Sequence, residues 1–267
     1  MPFLNVLITG AASGIGYAAA KYFAQNGCNV YALDVKPTPP TLNVTSFVQD
    51  VCDEAGLSKV KEALDASHVT LDTIICAAGI HEMESVVEAQ SSNMKHLLDI
   101  NLFGPMFVNR VFHPLLKSNG RVIIVTSEVA TYSPMPFNGL YNISKTALEC
   151  YADTLRQELN LLGQRVITIR PGAVKTPLES KAIDKTRALE EKTELYKKQA
   201  SHFSKLAAKF ASSPINAGKI AKIIYKAATA NRTRYSYSKN RSAGLVLLNL
   251  LPKRMQCFII KLLLNMK

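Results

Sequence analysis

The sequence predicts one domain of the α/β class, with a doubly wound, mostly parallel sheet and helices on both of its faces. Three observations predict this fold. The chain has 267 residues and 48% of them are hydrophobic, so one large core is possible. Short runs of β-branched residues alternate with helix-length stretches along the chain, and a glycine-rich turn follows the first run. The same composition, with only 13 Gly and 12 Pro, excludes a disordered or low-complexity protein.

Continuous apolar runs predict the strands, because a parallel sheet covered on both faces buries both sides of each strand. The strands predicted in this way lie at residues 6–9, 29–33, 44–48, 73–76, 121–126 and 165–169, and we expect the last strand at 234–238. Helical spacing of apolar residues starts at Ile15 and ends near Gly27, and similar stretches follow at 53–66, 93–118 and 142–162. Because no repeat or linker interrupts this alternation, we expect a single domain.

The five cysteines are widely spaced and form no CxxC pair. This pattern predicts reduced thiols and supports neither a zinc site, nor another metal site, nor a disulfide framework. Residues 1–7 contain no basic segment and no long apolar segment that would predict a secretory signal. We therefore expect a cytoplasmic protein, either free or peripheral on a membrane that faces the cytosol.

The net charge of +12 is concentrated in the last third of the chain. Residues 1–175 contain 13 Lys and Arg against 15 Asp and Glu, whereas residues 176–267 contain 19 against 5. No acidic residue follows Glu194. A field of one sign attracts phosphate, which in a cell is carried mainly by nucleic acid and by anionic lipid.

The first predicted strand runs into the segment TGAASGIG at residues 9–16, and a helix begins within it. Glycine is needed where a backbone turns tightly and approaches a pyrophosphate closely, and the helix N-terminus then offers free N–H groups to that anion. Gly10, Gly14 and Gly16, placed between a strand and a helix, therefore predict a Rossmann-type dinucleotide site. The alternative is an ordinary glycine-rich turn.

Asp34 closes the second predicted strand. A carboxylate at this place accepts hydrogen bonds from the adenosine ribose hydroxyls and repels a 2′-phosphate, so it favours NAD over NADP. The nearby Lys36 keeps NADP open, and a plain turn residue is the alternative interpretation of Asp34.

Tyr141 and Lys145 lie four residues apart, and hence on one face of the predicted helix. A neighbouring cation favours the phenolate form of a tyrosine, whose pKa is ordinarily about 10. Ser127 lies at the end of a buried strand, where doubly wound sheets bind ligands. Asn101, a polar residue in an apolar helix, predicts either a held water molecule or a buried amide bonded to the backbone.

Together these residues resemble the short-chain dehydrogenases/reductases over residues 3 to about 238. The matching positions, in order, are TGAASGIG at 9–16, Asp34, Asp50-Val51, CAAG at 76–79, Asn101, Ser127, YNISK at 141–145 and Pro171-Gly172. The resemblance implies that Tyr141 exchanges the hydroxyl proton, that Lys145 lowers its pKa and binds the nicotinamide ribose, and that Ser127 orients the reacting oxygen. It implies that Asn101 supports a water that relays the proton.

The resemblance also implies the cofactor contacts. Asp50 and Val51 would flank the adenine, and residues 171–176 would surround the nicotinamide, with Thr176 near its carboxamide. The implied cofactor residues are Gly10, Ser13, Gly14, Ile15, Gly16, Asp34, Asp50, Val51, Ala78, Gly79, Tyr141, Lys145, Pro171, Gly172, Val174 and Thr176.

Two positions depart from the pattern of the family. CAAG at 76–79 replaces the family's NNAG, which removes two amides. Ser127 precedes Tyr141 by 14 residues, where 13 is commoner, and Glu128 occupies the usual offset. We take Ser127, with an extra residue in the loop at 133–136, because a loop absorbs length more easily than a strand end changes its residue type. Glu128 remains the alternative.

The resemblance places a substrate lid at about residues 177–213, within a catalytic domain at 1–238. The lid contains a lysine-rich helical stretch at 181–210 with an apolar stripe of Leu206, Ala207 and Phe210. The extension at 239–267 lacks the ~20 continuous apolar residues of a membrane span.

The extension carries a helical apolar stripe of Met255, Phe258, Ile259, Leu262 and Met266, edged only by Lys and Arg. Such a helix suits either the surface of an anionic membrane or packing on the lid or on a sister subunit. Its Leu-Pro-Lys turn loosely resembles the tails of family members that act on steroids and retinoids.

These features predict an NAD(H)-dependent oxidoreductase that interconverts an alcohol and a ketone or aldehyde on a lipophilic substrate, such as a hydroxysteroid, a retinoid or another lipid. A 3-oxoacyl reductase of fatty-acid metabolism and a non-catalytic NAD-binding sensor or scaffold are the alternatives. The resemblance implies a homo-dimer or homo-tetramer, and we expect no nucleic-acid partner.

Overall fold

The computed structural model describes residues 3–210 and 213–265, without the side chains of 208–210. Within these ranges the strands are β1 (Asn5–Thr9), β2 (Asn29–Asp34), β3 (Val44–Val48), β4 (Leu71–Cys76), β5 (Leu116–Val125), β6 (Arg165–Pro171), β7 (Val174–Lys175), β8 (Ile215–Asn216) and β9 (Ser236–Lys239). The α-helices are α1 (Gly14–Gln25), α2 (Glu54–Ala66), α3 (Ser91–Leu98), α4 (Gly104–Phe112), α5 (Gly139–Leu161), α6 (Pro177–Arg187), α7 (Leu189–Lys192), α8 (Lys197–Phe210), α9 (Ala217–Thr229), α10 (Ala243–Asn249) and α11 (Lys253–Asn265).

Seven parallel strands form the central sheet in the order β3-β2-β1-β4-β5-β6-β9, and β7 and β8 make a small parallel pair. Helices α1 and α9 cover one face through residues such as Phe23 and Ile224. Helices α2, α4 and α5 cover the other face through Leu57, Phe112 and Leu148. The predicted doubly wound α/β domain is therefore confirmed. The strand order reverses between β1 and β4, where folds of this type bind their ligands.

The prediction of one continuous helix at 93–118 is wrong. Helix α3 passes into a π-helical segment, Asp99–Phe103, and α4 then ends at Phe112. A 3₁₀ turn, His113–Leu115, follows, because Pro114 has no N–H to continue an α-helix. The strand β5 starts at Leu116, where it pairs with Leu71 before the register shifts.

The strand predicted at 44–48 exists, but it is not buried. β3 pairs only with β2 and forms an edge of the sheet, so Val48 is 63% exposed. The last strand, β9, starts two residues later than predicted and ends at Lys239.

The expected lid is three helices, α6, α7 and α8, rather than one helical stretch. A third hydrophobic cluster lies beneath them and includes Met83, Phe137, Leu189, Phe203 and Leu264. Leu206 and Ala207 pack against this cluster as predicted, whereas the side chain of Phe210 lies outside the described residues. Through Leu264, the C-terminal helix α11 closes the cluster. Among the described residues, no helix is both long enough and apolar enough to cross a bilayer.

Candidate active site

The edge of the sheet formed by the carboxyl ends of the central strands collects most of the predicted site residues. Parallel strands end at the same edge of the sheet, so the residues that follow β1, β4, β5 and β6 meet there. These segments begin at Gly10, Ala77, Thr126 and Gly172. The first turns of α5 face the same edge and bring in Tyr141 and Lys145.

Tyr141 and Lys145 are both buried, being 8% and 5% exposed. The Lys145 Nζ lies 5.9 Å from the centroid of the Tyr141 ring, and it donates a hydrogen bond of 3.4 Å to the Val125 carbonyl at the end of β5. Their four-residue spacing therefore places a phenol beside an ammonium group, as the sequence predicts.

Burial controls the protonation of both groups. It raises the pKa of Tyr141 to about 12, against a smaller lowering by the hydrogen bond with Ser127. It lowers the pKa of Lys145 to about 8, against a smaller raising by the charge of Glu149. At neutral pH the chain alone therefore holds a neutral phenol beside an ammonium group whose charge is costly to bury.

Glu149, one turn after Lys145 on α5, is anchored by Arg170 of β6. The Arg170 Nε and a terminal nitrogen donate to the two carboxylate oxygens at 2.9 and 2.6 Å. The Thr126 hydroxyl donates to the same carboxylate at 2.5 Å. This bidentate pair fixes α5 against the end of the sheet and keeps a negative charge one turn away from the ammonium group.

Ser127 and Glu128 follow β5, and their side chains have different partners. The Ser127 hydroxyl accepts from the Val129 N–H at 3.4 Å, and it lies near enough to Tyr141 to lower the pKa of the phenol. The Glu128 carboxylate instead accepts from the backbone N–H of Ser242 at 2.7 Å, at the start of the C-terminal extension. The hydrogen bonding thus favours Ser127 over Glu128 as the group that orients a reacting oxygen.

Asn101 lies in the π-helical segment and is fully buried. Its Nδ2 donates to the Ile80 carbonyl at 2.9 Å and to the Ser144 hydroxyl at 3.1 Å, while its Oδ1 accepts from the Ile80 N–H at 2.8 Å. These contacts match the interpretation as a buried amide bonded to the backbone, and the water-holding role stays a prediction.

The glycine-rich turn has a geometry that only glycine allows. Gly10 has a φ of +68°, and a Cβ there would lie 2.8 Å from the backbone of Ala78. A Cβ on Gly16 would lie 2.1 Å from the Gly10 carbonyl oxygen. The Thr9 hydroxyl accepts from the N–H groups of Ala77 and Ala78, both at 3.2 Å, so it joins this turn to the one after β4.

The start of α1 fits a pyrophosphate. Its N-cap residue, Ser13, makes no side-chain capping bond, and its first turn, which includes Ile15, holds no acidic residue. The first N–H groups of the helix thus have no side-chain acceptor, and the helix dipole favours an anion there.

The residues predicted around the adenosine lie at the ends of β2 and β3. One Asp34 carboxylate oxygen accepts from the Ala12 N–H in the glycine-rich turn, and the other accepts from the Lys36 N–H, both at 3.0 Å. The Asp50 carboxylate accepts from the Cys52 N–H at 2.9 Å, and Val51 is buried. Asp34 therefore borders the turn where a ribose would lie in a dinucleotide site.

The loop after β6 borders the same edge of the sheet. Pro171 ends β6, the Gly172 N–H donates to the Lys239 carbonyl at 2.9 Å, and Val174 is buried in β7. The Thr176 hydroxyl caps α6, and its methyl group would lie 3.3 Å from a Cβ at Gly14. Gly79, on the other side, leaves room between Asn101 and Lys145, since its Cβ would lie 3.2 and 3.4 Å from their polar atoms.

Two site residues were not predicted from the sequence. The His81 ring centroid lies 4.4 Å from that of Tyr141, and burial lowers the pKa of His81 to about 4, so its imidazole is neutral at physiological pH. Glu179, in the first turn of α6, has its pKa raised by burial and by the charge of Glu128, and its own charge raises the pKa of Tyr141. The position of His81, two residues after CAAG, is the one signal that could have identified it.

Within the described ranges, no group of three or more His, Cys, Asp or Glu residues could hold a metal ion.

Comparison with known proteins identifies the family to which the chain belongs. The family model described as short chain dehydrogenase matches residues 4–187. The 3-amino-tetrahydro-pyrrolizinone reductase of Xenorhabdus hominickii is 28% identical over 212 residues, which cover 75% of this chain and 74% of that protein. The NADPH-dependent 1-acyldihydroxyacetone phosphate reductase of Schizosaccharomyces pombe is 32% identical over 185 residues, which cover 67% of this chain and 62% of that protein.

Solved structures share the fold at low identity. A short chain dehydrogenase family protein of Francisella tularensis superposes with a TM-score of 0.77 at 21% identity, covering 92% of this chain and 100% of that one. A 4-hydroxyisoleucine dehydrogenase complexed with NADH gives 0.69 at 22% identity, covering 88% and 96%. A short chain dehydrogenase of Burkholderia cenocepacia in complex with NADP gives 0.74 at 19% identity, covering 96% of both chains.

The neighbours thus include both an NADH and an NADP complex, and the glycine-rich turn and the uncapped helix start of this chain fit either dinucleotide. From the family match and the curated relatives, the chain belongs to the short-chain dehydrogenase family of oxidoreductases.

Proposed function

We propose that this protein uses NAD(H) to interconvert an alcohol and a ketone or aldehyde on a lipophilic substrate. The observation that carries the proposal is the buried Tyr141, which has Ser127 near enough to lower its pKa and the Lys145 ammonium group beside its ring. A phenol held in this way, beside a dinucleotide site, suits proton exchange with a substrate oxygen.

In the oxidising direction, the Tyr141 oxygen accepts the proton of the substrate hydroxyl while Ser127 donates a hydrogen bond that orients the reacting oxygen. Before this step the Tyr141 phenol must lose its own proton to solvent, and the Lys145 ammonium group favours the phenolate that results. A nicotinamide held by the glycine-rich turn would supply hydride transfer at the substrate carbon. His81 packs against the Tyr141 ring and limits its orientation.

Asp34 supports NAD as the cofactor. Its carboxylate ends β2 beside the glycine-rich turn, where it would repel a 2′-phosphate. The Lys36 N–H, rather than its charged side chain, is what bonds to Asp34. One curated relative is named as NADPH-dependent, so NADP is the alternative that the measurement of cofactor selectivity has to test.

The third hydrophobic cluster supports a lipophilic substrate. Met83 and Phe137 belong to it, and they lie two and four residues from His81 and Tyr141, whose rings touch. The lid helix α8 contributes Phe203, whose ring meets the Phe137 ring edge-on at 5.4 Å. An apolar substrate beneath this lid would exclude water from the reacting oxygen.

The proposal is tested by following reduced nicotinamide with a panel of hydroxysteroids, retinol, other lipid alcohols and acetoacetyl thioesters. We expect turnover of a lipophilic alcohol or its carbonyl partner, and we expect Tyr141→Phe to lower kcat by at least about a hundredfold while cofactor binding persists. Tyr151→Phe, on the same helix, is the matched control and should keep turnover, since the Tyr151 hydroxyl contacts Asn109.

The two alternatives predict different results in the same panel. A 3-oxoacyl reductase would turn over the acetoacetyl thioesters alone, and the basic C-terminal third would then bind an acidic acyl carrier. A sensor or scaffold would bind NADH tightly without turning over any substrate. Full activity of the Tyr141→Phe variant would contradict the assigned proton exchange.

A further inference from the structure

The C-terminal helices have an inner face that is fixed to the lid. Leu264 is buried in the third hydrophobic cluster, and Ile260, one turn earlier, packs against it. The His202 ring of α8 contacts the Leu264 carbonyl at 3.0 Å, and the Gln199 side chain donates to the Asn265 side chain at 2.8 Å. Packing on the lid, one of the two alternatives from the sequence, therefore accounts for this face of α11.

The opposite face of α11 is apolar and exposed. Met255, Phe258 and Leu262 recur at the spacing of one helical face, and Phe258 is 66% exposed. We call these three residues the outer stripe. Leu247 and Leu250, at 68 and 75%, are exposed on α10 and on the turn that follows it. Met266, predicted to extend the stripe, lies outside the described residues.

Basic side chains accompany the outer stripe. Arg254 and Lys261 are exposed and lie seven residues apart, which is two helical turns, so they share one edge of the stripe. Lys253 is exposed at the start of the same helix. Acidic residues are absent from position 195 to the end of the sequence, so no carboxylate of the extension offsets these charges.

The apolar outer stripe and its basic edge together indicate what binds to this face of α11. Exposed large apolar side chains on one helix face mark a binding surface. A second copy of the chain in a two-fold contact would bring the same basic surface of both copies together, which is repulsive. A bilayer with anionic headgroups offers an apolar layer for the outer stripe and negative charge for its basic edge.

We propose that the outer stripe of α11 inserts into the interface of an anionic bilayer, with Leu247 and Leu250 beside it and with Lys253, Arg254 and Lys261 at the headgroups. The protein then lies on the membrane surface, with the lid helix α8 on the membrane-facing side through its contacts with α11. A lipophilic substrate dissolved in the bilayer would thus be presented close to the lid.

Flotation of the full chain tests the proposal, using phosphatidylcholine vesicles with and without phosphatidylserine. We expect flotation with the mixed vesicles and about a hundredfold weaker partitioning onto pure phosphatidylcholine, since each Lys or Arg contributes about fivefold at an anionic surface. Replacing Lys253, Arg254 and Lys261 together by Gln should lower partitioning onto the mixed vesicles to the level of the neutral ones. Phe258→Glu should lower it by about tenfold or more, because a charge replaces an apolar anchor.

Leu161→Glu is the matched control, because Leu161 is 85% exposed at the end of α5 and far from α11 in the chain. It should float as the unchanged chain does, and far-ultraviolet circular dichroism and NADH binding should match for all variants. The proposal is overturned if the unchanged chain stays at the bottom of the gradient, or if Phe258→Glu floats fully. It is also overturned if Phe258→Glu converts a lipid-free dimer into a monomer by light scattering, since the stripe would then bind a second copy.

Discussion

Lys145 shows how a single residue can serve function at the expense of stability. Burial lowers its pKa from the ordinary 10.5 to about 8, so the folded chain holds its charge less readily than the unfolded chain does. Between these two pH values the unfolded state is protonated and the folded state is not. The free energy of unfolding therefore rises with pH across this interval.

We predict that Lys145→Met removes this pH dependence. At pH 7 the variant should be more stable than the unchanged chain by on the order of 2 kcal/mol, because no buried charge remains. The difference should shrink as the pH rises from about 8 to 10.5. Urea unfolding at several pH values measures this difference in the free energy of unfolding. If that free energy depended on pH in the same way for the two proteins, Lys145 would not be buried as a charge.

Asp34 is the residue on which cofactor choice is predicted to depend. In Asp34→Ala, the repulsion of a 2′-phosphate and the acceptors for the ribose hydroxyls are both lost, so the ratio of kcat/KM for NAD over NADP should fall by roughly tenfold or more. Lys36→Ala is the control and should leave the preference for NAD in place. Unchanged selectivity in Asp34→Ala would show that another group distinguishes the cofactors.

At the scale of residues, the sequence was informative where the site is local. Tyr141 and Lys145 share one helix, so their spacing alone places them together. Ser127 and the glycines follow strands, whose ends meet in any sheet of this type. Glu179 lies 38 residues after Tyr141, and only the packing of the lid helix α6 brings its charge near the phenol. No sequence spacing encodes that packing.

At the scale of elements, α8 is the part of the lid that holds the third hydrophobic cluster together. Phe203 is 5% exposed, and its ring contacts Phe137. We predict that Phe203→Ala lowers the free energy of unfolding by about 3 kcal/mol through the cavity it leaves, and that it raises KM more than it lowers kcat. Thermal unfolding and steady-state kinetics measure the two effects.

Phe258→Ala is the matched control for that prediction, because the Phe258 ring is exposed on α11. Its unfolding free energy in the absence of lipid should change by less than about 0.5 kcal/mol. Equal losses in the two variants would mean that the third cluster does not support the lid.

Helices and strands were predictable where the spacing of apolar residues agrees with residues that start or end an element. Helix α1 is an example, with its glycine-rich start and Gly27 after its end. The stretch at 93–118 misled the prediction, because its apolar spacing continues through a π-helical segment and a proline-containing turn. The edge position of β3 was also not predictable, since strand order depends on contacts between distant segments.

At the scale of the whole molecule, stability is predicted to be uneven. The strands β1, β4, β5 and β6 lie between two large hydrophobic clusters, whereas α6 and α10 contain no buried residue. We predict that amides in these central strands exchange with deuterium at least about a hundredfold more slowly than those in α6 and α10. Mass spectrometry of peptic fragments measures this, and uniform protection would contradict the predicted difference in stability.

The net charge of the whole chain does not identify its partners unless the distribution is also considered. The excess of basic residues lies in residues 176–267, while residues 1–175 are nearly balanced. The homo-dimer or homo-tetramer, the cytoplasmic location and the lack of a nucleic-acid partner all stay predictions. Sedimentation and cell fractionation would test the first two, and a nucleic-acid shift assay the third.

In the π-helical segment at Asp99–Phe103, the number of residues matters as much as their identity for the position of Asn101. Such a turn holds one residue more than an α-helical turn would, and Asn101 lies in the middle of it. Deleting Asp99 or Ile100 would return this turn to α-helical winding and move Asn101 back by one position, which changes the direction of its side chain by about 100°. The Asn101 amide would then turn away from Ile80 and Ser144 and lose its hydrogen bonds to them. We therefore expect a one-residue deletion in this segment to destabilise the protein more than most point substitutions in the same helix.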